Sequence, residues 1–163
     1  MIYLLDANVL LEAKDRYYGF DIVPAFWEWL LAENVAHHIF SIESVRDELL
    51  AKSDQLAEWA LARGTTFFLS PDQAVVDKLG ALSEWVTKQS YTQAAVDAFL
   101  GKADYWLVAH AWAYSGTVVT HERWSEKKSK VKIPNACAGV GVPCMNCFEL
   151  LRALGARFVL PDS

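Results

Sequence analysis

The chain has 163 residues, of which 53% are hydrophobic and 21% are charged, and its formal net charge is −5. This composition predicts a single globular domain over residues 1–163 and excludes a disordered chain. The acidic balance argues against a protein that coats nucleic acid through bulk positive charge, but it is compatible with an acidic site that binds metal ions.

The sequence carries no recognisable signal for membrane insertion or secretion. The sequence has no apolar run as long as a membrane span, so we expect no membrane association. Asp6 interrupts the N-terminal apolar run and no basic segment precedes it, so we expect no signal peptide. The three cysteines do not form a secreted-scaffold pattern, which makes a reducing cytoplasm the simplest setting.

Apolar, β-prone runs alternate with longer stretches that have helical spacing. The runs predict strands at residues 2–5, 37–41, 65–69, 117–120 and 157–160. The longer stretches predict helices at residues 22–34, 42–53, 55–64, 70–89, 92–116 and 146–155, with a break near Gly101. Such alternation is typical of an α/β domain with a mostly parallel sheet, which binds ligands beyond the carboxyl ends of its strands.

Local signals mark several boundaries of these elements. Ser41 is predicted to cap the helix at 42–53, with Ser44 as the competing cap. Ser70 followed by Pro71 predicts a helix start, and Gly64 a helix end. The polar stretch 123–135 is predicted to be an exposed loop.

Four acidic residues lie near the expected functional edge of the sheet. Asp6 ends the first strand, where burial without a partner is costly. Glu48 lies on the helix after the second strand, Asp104 opens a helix, and Glu122 follows the fourth strand. Together they predict a site for Mg²⁺ or Mn²⁺ that activates a water for attack on a phosphodiester. Each of three residues also has a simpler interpretation when taken alone. Glu48 fits a solvated charge on a helix, Asp104 a helix cap, and Glu122 a charge in a loop.

Three segments resemble the acidic segments of PIN domains: "LLDANVLLEA", "SIESVRDELL" and "KADYWLVAHAWAYSGTVVTHE". By this resemblance Asp6, Glu48, Asp104 and Glu122 occupy the four acidic positions. Asn8 and Thr120 occupy the polar accessory positions. A narrower resemblance, to an uncharacterised PIN-like family carrying "YYGFDIVPAFWEWL", "VVTHE" and "KIPNACAGVGVPCMN", spans almost the whole chain.

The resemblance implies a three-layer α/β/α sandwich and a ribonuclease that depends on Mg²⁺ or Mn²⁺. Bacterial members are often VapC-like toxins of type II toxin–antitoxin pairs, so it also implies an RNA substrate and a cognate antitoxin. The wider family more commonly has Asp at the fourth acidic position. Here Glu122 follows His121, and its side chain is one methylene longer than that of Asp. The number of metal ions in the site, one or two, is therefore left open.

Residues beside the fourth acidic position suggest further roles. His121 is a candidate phosphate contact or additional ligand, or else it points to the opposite face of the strand. The basic residues after it are predicted either to guide RNA or to form a solubilising loop: Arg123, Lys127, Lys128, Lys130 and Lys132. Trp124 is predicted to stack on a base or to anchor that loop, and exposed tryptophans would allow a homodimer.

The three cysteines Cys137, Cys144 and Cys147 lie close in sequence, with the last two at the spacing of half a zinc site. Because no second pair exists, reduced and buried thiols are the preferred interpretation. The leading hypothesis is therefore a metal-dependent endoribonuclease. The alternatives are a PIN-like module that binds RNA or a protein with weak or no catalysis, and, less favoured, a receiver-like domain with Asp6 as phosphate acceptor.

Overall fold

A computed structural model describes residues 1–162 as an α/β domain built on one parallel sheet. Within these residues the sheet has five strands: β1 (Tyr3–Leu5), β2 (Ile39–Ile42), β3 (Phe68–Leu69), β4 (Thr117–Val119) and β5 (Cys144–Met145). Their order across the sheet is β3-β2-β1-β4-β5, and every adjacent pair is parallel. β1 is completely buried at the centre, as the apolar run there predicts.

Nine α-helices flank the sheet within the described residues: α1 (Ala7–Glu12), α2 (Pro24–Val35), α3 (Glu43–Leu50), α4 (Gln55–Arg63), α5 (Gln73–Lys88), α6 (Gln93–Leu100), α7 (Ala103–Ala113), α8 (Ile133–Val140) and α9 (Cys147–Ala153). α1 continues into a π-helical turn, Ala13–Tyr17. The predicted three-layer α/β/α sandwich is confirmed, as is the break between two helices near Gly101. No helix in residues 1–162 is long and apolar enough to cross a membrane.

The predicted strand at 157–160 is wrong. Residues 157–160 form neither a helix nor a strand, and the side chains of Val159 and Leu160 are 73% and 89% exposed. The fifth strand is instead β5, whose two residues pair with Val118 and Val119 of β4. A two-residue strand carries almost no periodic signal, because its place in the sheet depends on pairing with residues distant in sequence.

The structure also corrects three local predictions. Neither Ser41 nor Ser44 caps α3: Ile42 is the N-cap, and the buried Ser41 hydroxyl donates to the Leu5 carbonyl oxygen at 2.7 Å. α5 begins after Asp72, whose side chain accepts from the Val75 N–H at 3.1 Å. The end of the predicted loop 123–135 belongs to α8, and α1, which was not predicted, directly follows β1 with Asp6 as its N-cap.

Gly139 lies where α8 packs against α5. A Cβ built on Gly139 would lie 2.0 Å from Cζ2 of Trp85, so the indole would have to move. We expect Gly139→Ala to lower the free energy of unfolding by about 1–3 kcal/mol, because overpacking outweighs the gain in helix propensity. Gly80→Ala on α5 is the matched control: a Cβ there meets nothing within 4 Å, and we expect a small stabilisation. Equal shifts in Tm for the two variants would contradict this packing account.

Candidate functional site

The site begins at the carboxyl end of β1. Asp6 directly follows the strand and is the N-cap of α1, its Oδ1 accepting from the Ala7 N–H at 2.7 Å. Its own backbone N–H donates to the Val119 carbonyl oxygen at 2.9 Å, which ties it to the end of β4. The parallel pairing of β1 with β4 therefore brings Asp6 and Thr120 to the same edge of the sheet.

A hydrogen-bond network fixes the Asp6 carboxylate. The buried Thr120 hydroxyl donates to Asp6 Oδ2 at 2.9 Å, and Thr120 Oγ1 accepts from Asn8 Nδ2 at 3.2 Å. Thr120 Oγ1 also accepts from the Glu122 N–H at 3.1 Å, so one hydroxyl connects both strand ends. With 5% of its surface exposed, Asp6 is held rigidly by these contacts.

The four predicted carboxylates lie around one cavity of about 450 Å³, here called the acidic cleft. Asp6 directly follows β1, Glu122 lies three residues after the end of β4, Glu48 is on α3, and Asp104 is in the first turn of α7. Other residues complete its lining, among them Asn8, Ser44, Lys102 and Lys130. The structure thus brings together residues that are up to 116 positions apart, counted from Asp6 to Glu122.

Glu122 is not a free loop charge. Its Oε1 accepts from the backbone N–H of Ile133, the first residue of α8, at 3.0 Å. The carboxylate is half-buried, whereas Glu48 is exposed on its helix. The hydrogen bond to α8 therefore fixes one carboxylate oxygen of Glu122 and leaves the second oxygen available to a ligand.

Two carboxyl groups of the acidic cleft, those of Asp6 and Asp104, have raised pKa values, so their ionised forms are disfavoured. Burial raises the pKa of Asp6 to about 7, with further increases from Asp104 and Glu122 and an opposing effect from the Thr120 hydrogen bond. Burial also raises the pKa of Asp104 to about 6, helped by Glu122 and opposed first by Lys102. A cation in the cleft would relieve both the desolvation and the mutual repulsion.

The donor set fits Mg²⁺ or Mn²⁺. Carboxylate oxygens are the ligands these ions prefer, and Mg²⁺ commonly retains several waters, so a few carboxylates at moderate spacing suffice. Among residues 1–162, no three His, Cys, Asp or Glu side chains are already close enough to form a preassembled cation group. Binding would therefore involve waters or side-chain rotations, most readily at the exposed Glu48.

Two of the predicted accessory residues, Asn8 and His121, line two neighbouring cavities. Asn8 lines the acidic cleft, and its Oδ1 accepts from the His121 N–H at 3.1 Å. The His121 ring lies outside the cleft and packs against Tyr17 and Phe148, with ring-centroid distances of 5.9 and 5.7 Å. Burial lowers the pKa of His121, which favours its neutral form.

The basic residues after Glu122 are also separated. Lys130 lines the acidic cleft, and Arg123 is exposed and lines the cavity beside it. Lys128 lies 5.0 Å above the Tyr91 ring in a third cavity. Lys127 is exposed, and its backbone N–H donates to Ser125 Oγ at 3.2 Å. Only part of the segment is thus positioned to meet a ligand of the cleft.

The thiols are free. Cys137 and Cys147 are buried as expected, whereas Cys144 on β5 is exposed.

Sequence reasoning missed several residues of this region. Lys102 lines the acidic cleft, and its position two residues before Asp104 was the available signal. Tyr17 and Phe148 form an aromatic group beside the cleft, but they lie on a π-helical turn and on α9, with no periodic link in the sequence.

Comparisons with known proteins support this fold. Residues 3–158 match a family described as a domain of unknown function, DUF4411. No curated protein matches the chain by sequence.

Solved structures with a similar fold include VapBC-1 from nontypeable Haemophilus influenzae, at 16% identity and a TM-score of 0.55, covering 90% of this chain and 98% of that one. VapBC2 from Rickettsia felis, bound to a DNA fragment from the promoter, has 15% identity, a TM-score of 0.56 and the same coverage. FitAcB from Neisseria gonorrhoeae has 17% identity and a TM-score of 0.53, covering 89% of this chain and 97% of that one. At these identities the similarity shows the fold, which is PIN-like as predicted.

Proposed function

Since this chain belongs to the DUF4411 family, whose description states no activity, we propose a function from its site: a metal-dependent endoribonuclease that hydrolyses RNA phosphodiesters. The observation that carries the proposal is the acidic cleft, in which Asp6, Glu48, Asp104 and Glu122 line one cavity at the carboxyl edge of a PIN-like sheet. The choice of RNA as substrate draws on the resemblance to PIN domains.

Asp6, Glu48, Asp104 and Glu122 would hold Mg²⁺ or Mn²⁺. When bound, the ion supplies Lewis-acid stabilisation for the charge that develops on the phosphate during hydrolysis. The Asp6 carboxylate is held in place by Thr120, and Glu122 by Ile133, so two of the four oxygen donors are positioned before any ligand arrives. Lys130 and Lys102 at the rim place positive charge where an RNA phosphate would enter.

A toxin role in a two-component pair follows from the same proposal. Three solved structures with this fold carry the paired names VapBC or FitAcB. We propose by analogy that a small antitoxin covers the acidic cleft of this chain.

Of the seven tryptophans only Trp124 is exposed, at 56%, so the homodimer through several exposed tryptophans has little support.

A second candidate is a PIN-like module that binds RNA or a partner protein without turnover. One specific observation favours it: among the described residues, the carboxylates do not yet form a compact cation group. It would bind RNA without cleaving it in any divalent cation.

A cleavage assay separates the two candidates. Wild type should cleave single-stranded RNA in Mg²⁺ or Mn²⁺ and not in EDTA, and Asp104→Asn should cleave at least ~100-fold more slowly because one ligand is lost. Asp77→Asn is the matched control, because Asp77 is an exposed aspartate on α5 that bonds Gln73 instead of lining the cleft. DNA of the same sequence tests the preference for ribose, and wild type should not cleave it. No cleavage by wild type in either metal would favour the binding module.

A further inference from the structure

A second cavity, of about 250 Å³, adjoins the acidic cleft and is here called the aromatic cavity. Its rings belong to Tyr17, His121 and Phe148, and its polar lining comes from Glu12, Arg123 and Asn146. Glu122 lines both cavities, so a ligand could reach from one to the other past a single carboxylate.

The three rings form a partly open group instead of a closed core. Tyr17 and Phe148 meet edge to face, with centroids 5.2 Å apart and planes at 84°. Tyr17 is 46% exposed, and His121 and Phe148 are half-buried. Exposed aromatic faces of this kind are where single-stranded nucleic acids stack their bases, since every base offers a π-face.

The polar groups of the aromatic cavity complement a nucleotide. Arg123 is exposed and carries a guanidinium suited to a phosphate. Asn146 Oδ1 accepts from the Glu149 N–H at 2.9 Å, while within residues 1–162 its amide nitrogen makes no hydrogen bond, so that nitrogen is available to a base carbonyl. Glu12 Oε2 lies 3.4 Å from Arg16 Nε, and the other carboxylate oxygen adds an acceptor for a base N–H.

We propose that the aromatic cavity is a nucleobase subsite, which holds the base of a nucleotide next to the phosphate in the acidic cleft and thereby selects where RNA is cut. This inference rests on the proposed ribonuclease function. Tyr17 and Phe148 supply the stacking faces, and Arg123 contacts the adjoining phosphate. A subsite on one side of the cleft positions the RNA strand for attack at one phosphodiester bond, which makes Tyr17 a residue that positions the substrate.

A binding experiment tests the subsite without depending on cleavage. Single-stranded RNA carrying one 2-aminopurine, whose fluorescence is quenched by stacking, is titrated with proteins in an Asp6→Asn background so that RNA stays intact. Adding Tyr17→Ala should raise Kd about 5-fold or more and relieve the quenching, because stacking contributes roughly 1–3 kcal/mol per base. Tyr17→Phe should restore both values and Tyr17→Leu should not, which separates a stacking face from mere apolar bulk.

Tyr114→Ala is the matched control. Tyr114 is also an exposed tyrosine, at 42%, but it follows the C-terminal end of α7, whereas Asp104 lies in the first turn of that helix. Its hydroxyl donates to Asp72. It should leave Kd and quenching unchanged. Equal Kd values for Tyr17→Ala and Tyr114→Ala, or no quenching by any protein, would overturn the subsite.

A cleavage experiment then distinguishes the two levels of the proposal. With wild type, replacing the base at one position beside the cut by an abasic sugar should slow cleavage about 5-fold or more, and Tyr17→Ala should be insensitive to that replacement. Failure of wild type to cleave any RNA would count against the ribonuclease function, whereas cleavage with identical abasic sensitivity in both proteins would overturn the subsite alone.

Discussion

Asp6→Asn should reduce RNA cleavage at least ~100-fold in Mg²⁺ or Mn²⁺ while the protein stays folded. Asp6 is the most buried of the four carboxylates and directly follows the central strand, so its loss removes the most rigidly held oxygen ligand of the acidic cleft. An asparagine keeps the Oδ1 acceptor for the Ala7 N–H and so preserves the cap of α1. It removes the negative charge, and it replaces the Oδ2 acceptor of the Thr120 hydroxyl with an amide N–H donor, to which that hydroxyl can turn its oxygen as an acceptor.

The measurement is the initial rate of cleavage of a labelled RNA, with circular dichroism to verify folding. Asp77→Asn removes one negative charge from an exposed position on α5 and should cleave at the wild-type rate. If Asp6→Asn is folded and cleaves as fast as wild type, Asp6 has no part in the chemistry and the assignment of the acidic cleft fails.

The second large effect is a loss of stability of the metal-free protein with rising pH. The pKa of Asp6 is about 7 in the folded protein because of burial and of Asp104 and Glu122, against a reference value of 3.8. Between pH 4 and pH 7 the unfolded chain therefore releases a proton that the folded chain retains, and stability falls as pH rises. The raised pKa of Asp104, about 6, adds to this trend.

His110 opposes the trend, because burial lowers its pKa to about 4, and its contribution increases stability as pH rises from about 4 to its unfolded value. The effect of Asp6 is therefore best measured as a difference between two proteins that share His110. In EDTA, the free energy of unfolding of wild type relative to Asp6→Asn should fall by roughly 2–4 kcal/mol between pH 4.5 and pH 8. Urea unfolding at the two pH values measures it.

Divalent cations supply a second comparison. Mn²⁺ at pH 8 should stabilise wild type, because a ligand that binds only the folded state raises its unfolding free energy, and should stabilise Asp6→Asn much less. Parallel pH profiles of the two proteins in EDTA would show that Asp6 is not a destabilising buried charge.

Much of the fold was predictable because buried parallel strands appear in the sequence as short apolar runs. β1, β2 and β4 fall where such runs predict them, although the observed strands are shorter. β5 was not predictable, since its two residues are a strand only by pairing with Val118 and Val119. The apolar run at 157–160 does not form a strand because it has no partner strand: Val159 and Leu160 stay exposed, and Phe158 packs against Phe26 and Trp29 instead.

The acidic cleft was predictable and the aromatic cavity was not. Asp6, Asp104 and Glu122 follow or begin elements whose ends meet at one edge of a parallel sheet, so topology alone predicts their proximity. Tyr17 and Phe148 meet because a π-helical turn after α1 and the start of α9 reach the same place, and no spacing in the sequence encodes that meeting. The His121 ring, whose orientation the sequence left open, packs with these two aromatic rings.

Binding of Mn²⁺ tests the central claim most directly, because the acidic cleft must hold a divalent cation before it can assist hydrolysis. A titration followed by electron paramagnetic resonance gives the Kd for Mn²⁺ from the loss of the free-ion signal. Wild type and Asp77→Asn should have equal Kd values, and the Kd of Asp6→Asn should be at least ~10-fold higher. Depletion by Asp6→Asn equal to that by wild type, or no depletion by wild type at millimolar Mn²⁺, would contradict a metal-dependent site in this cleft.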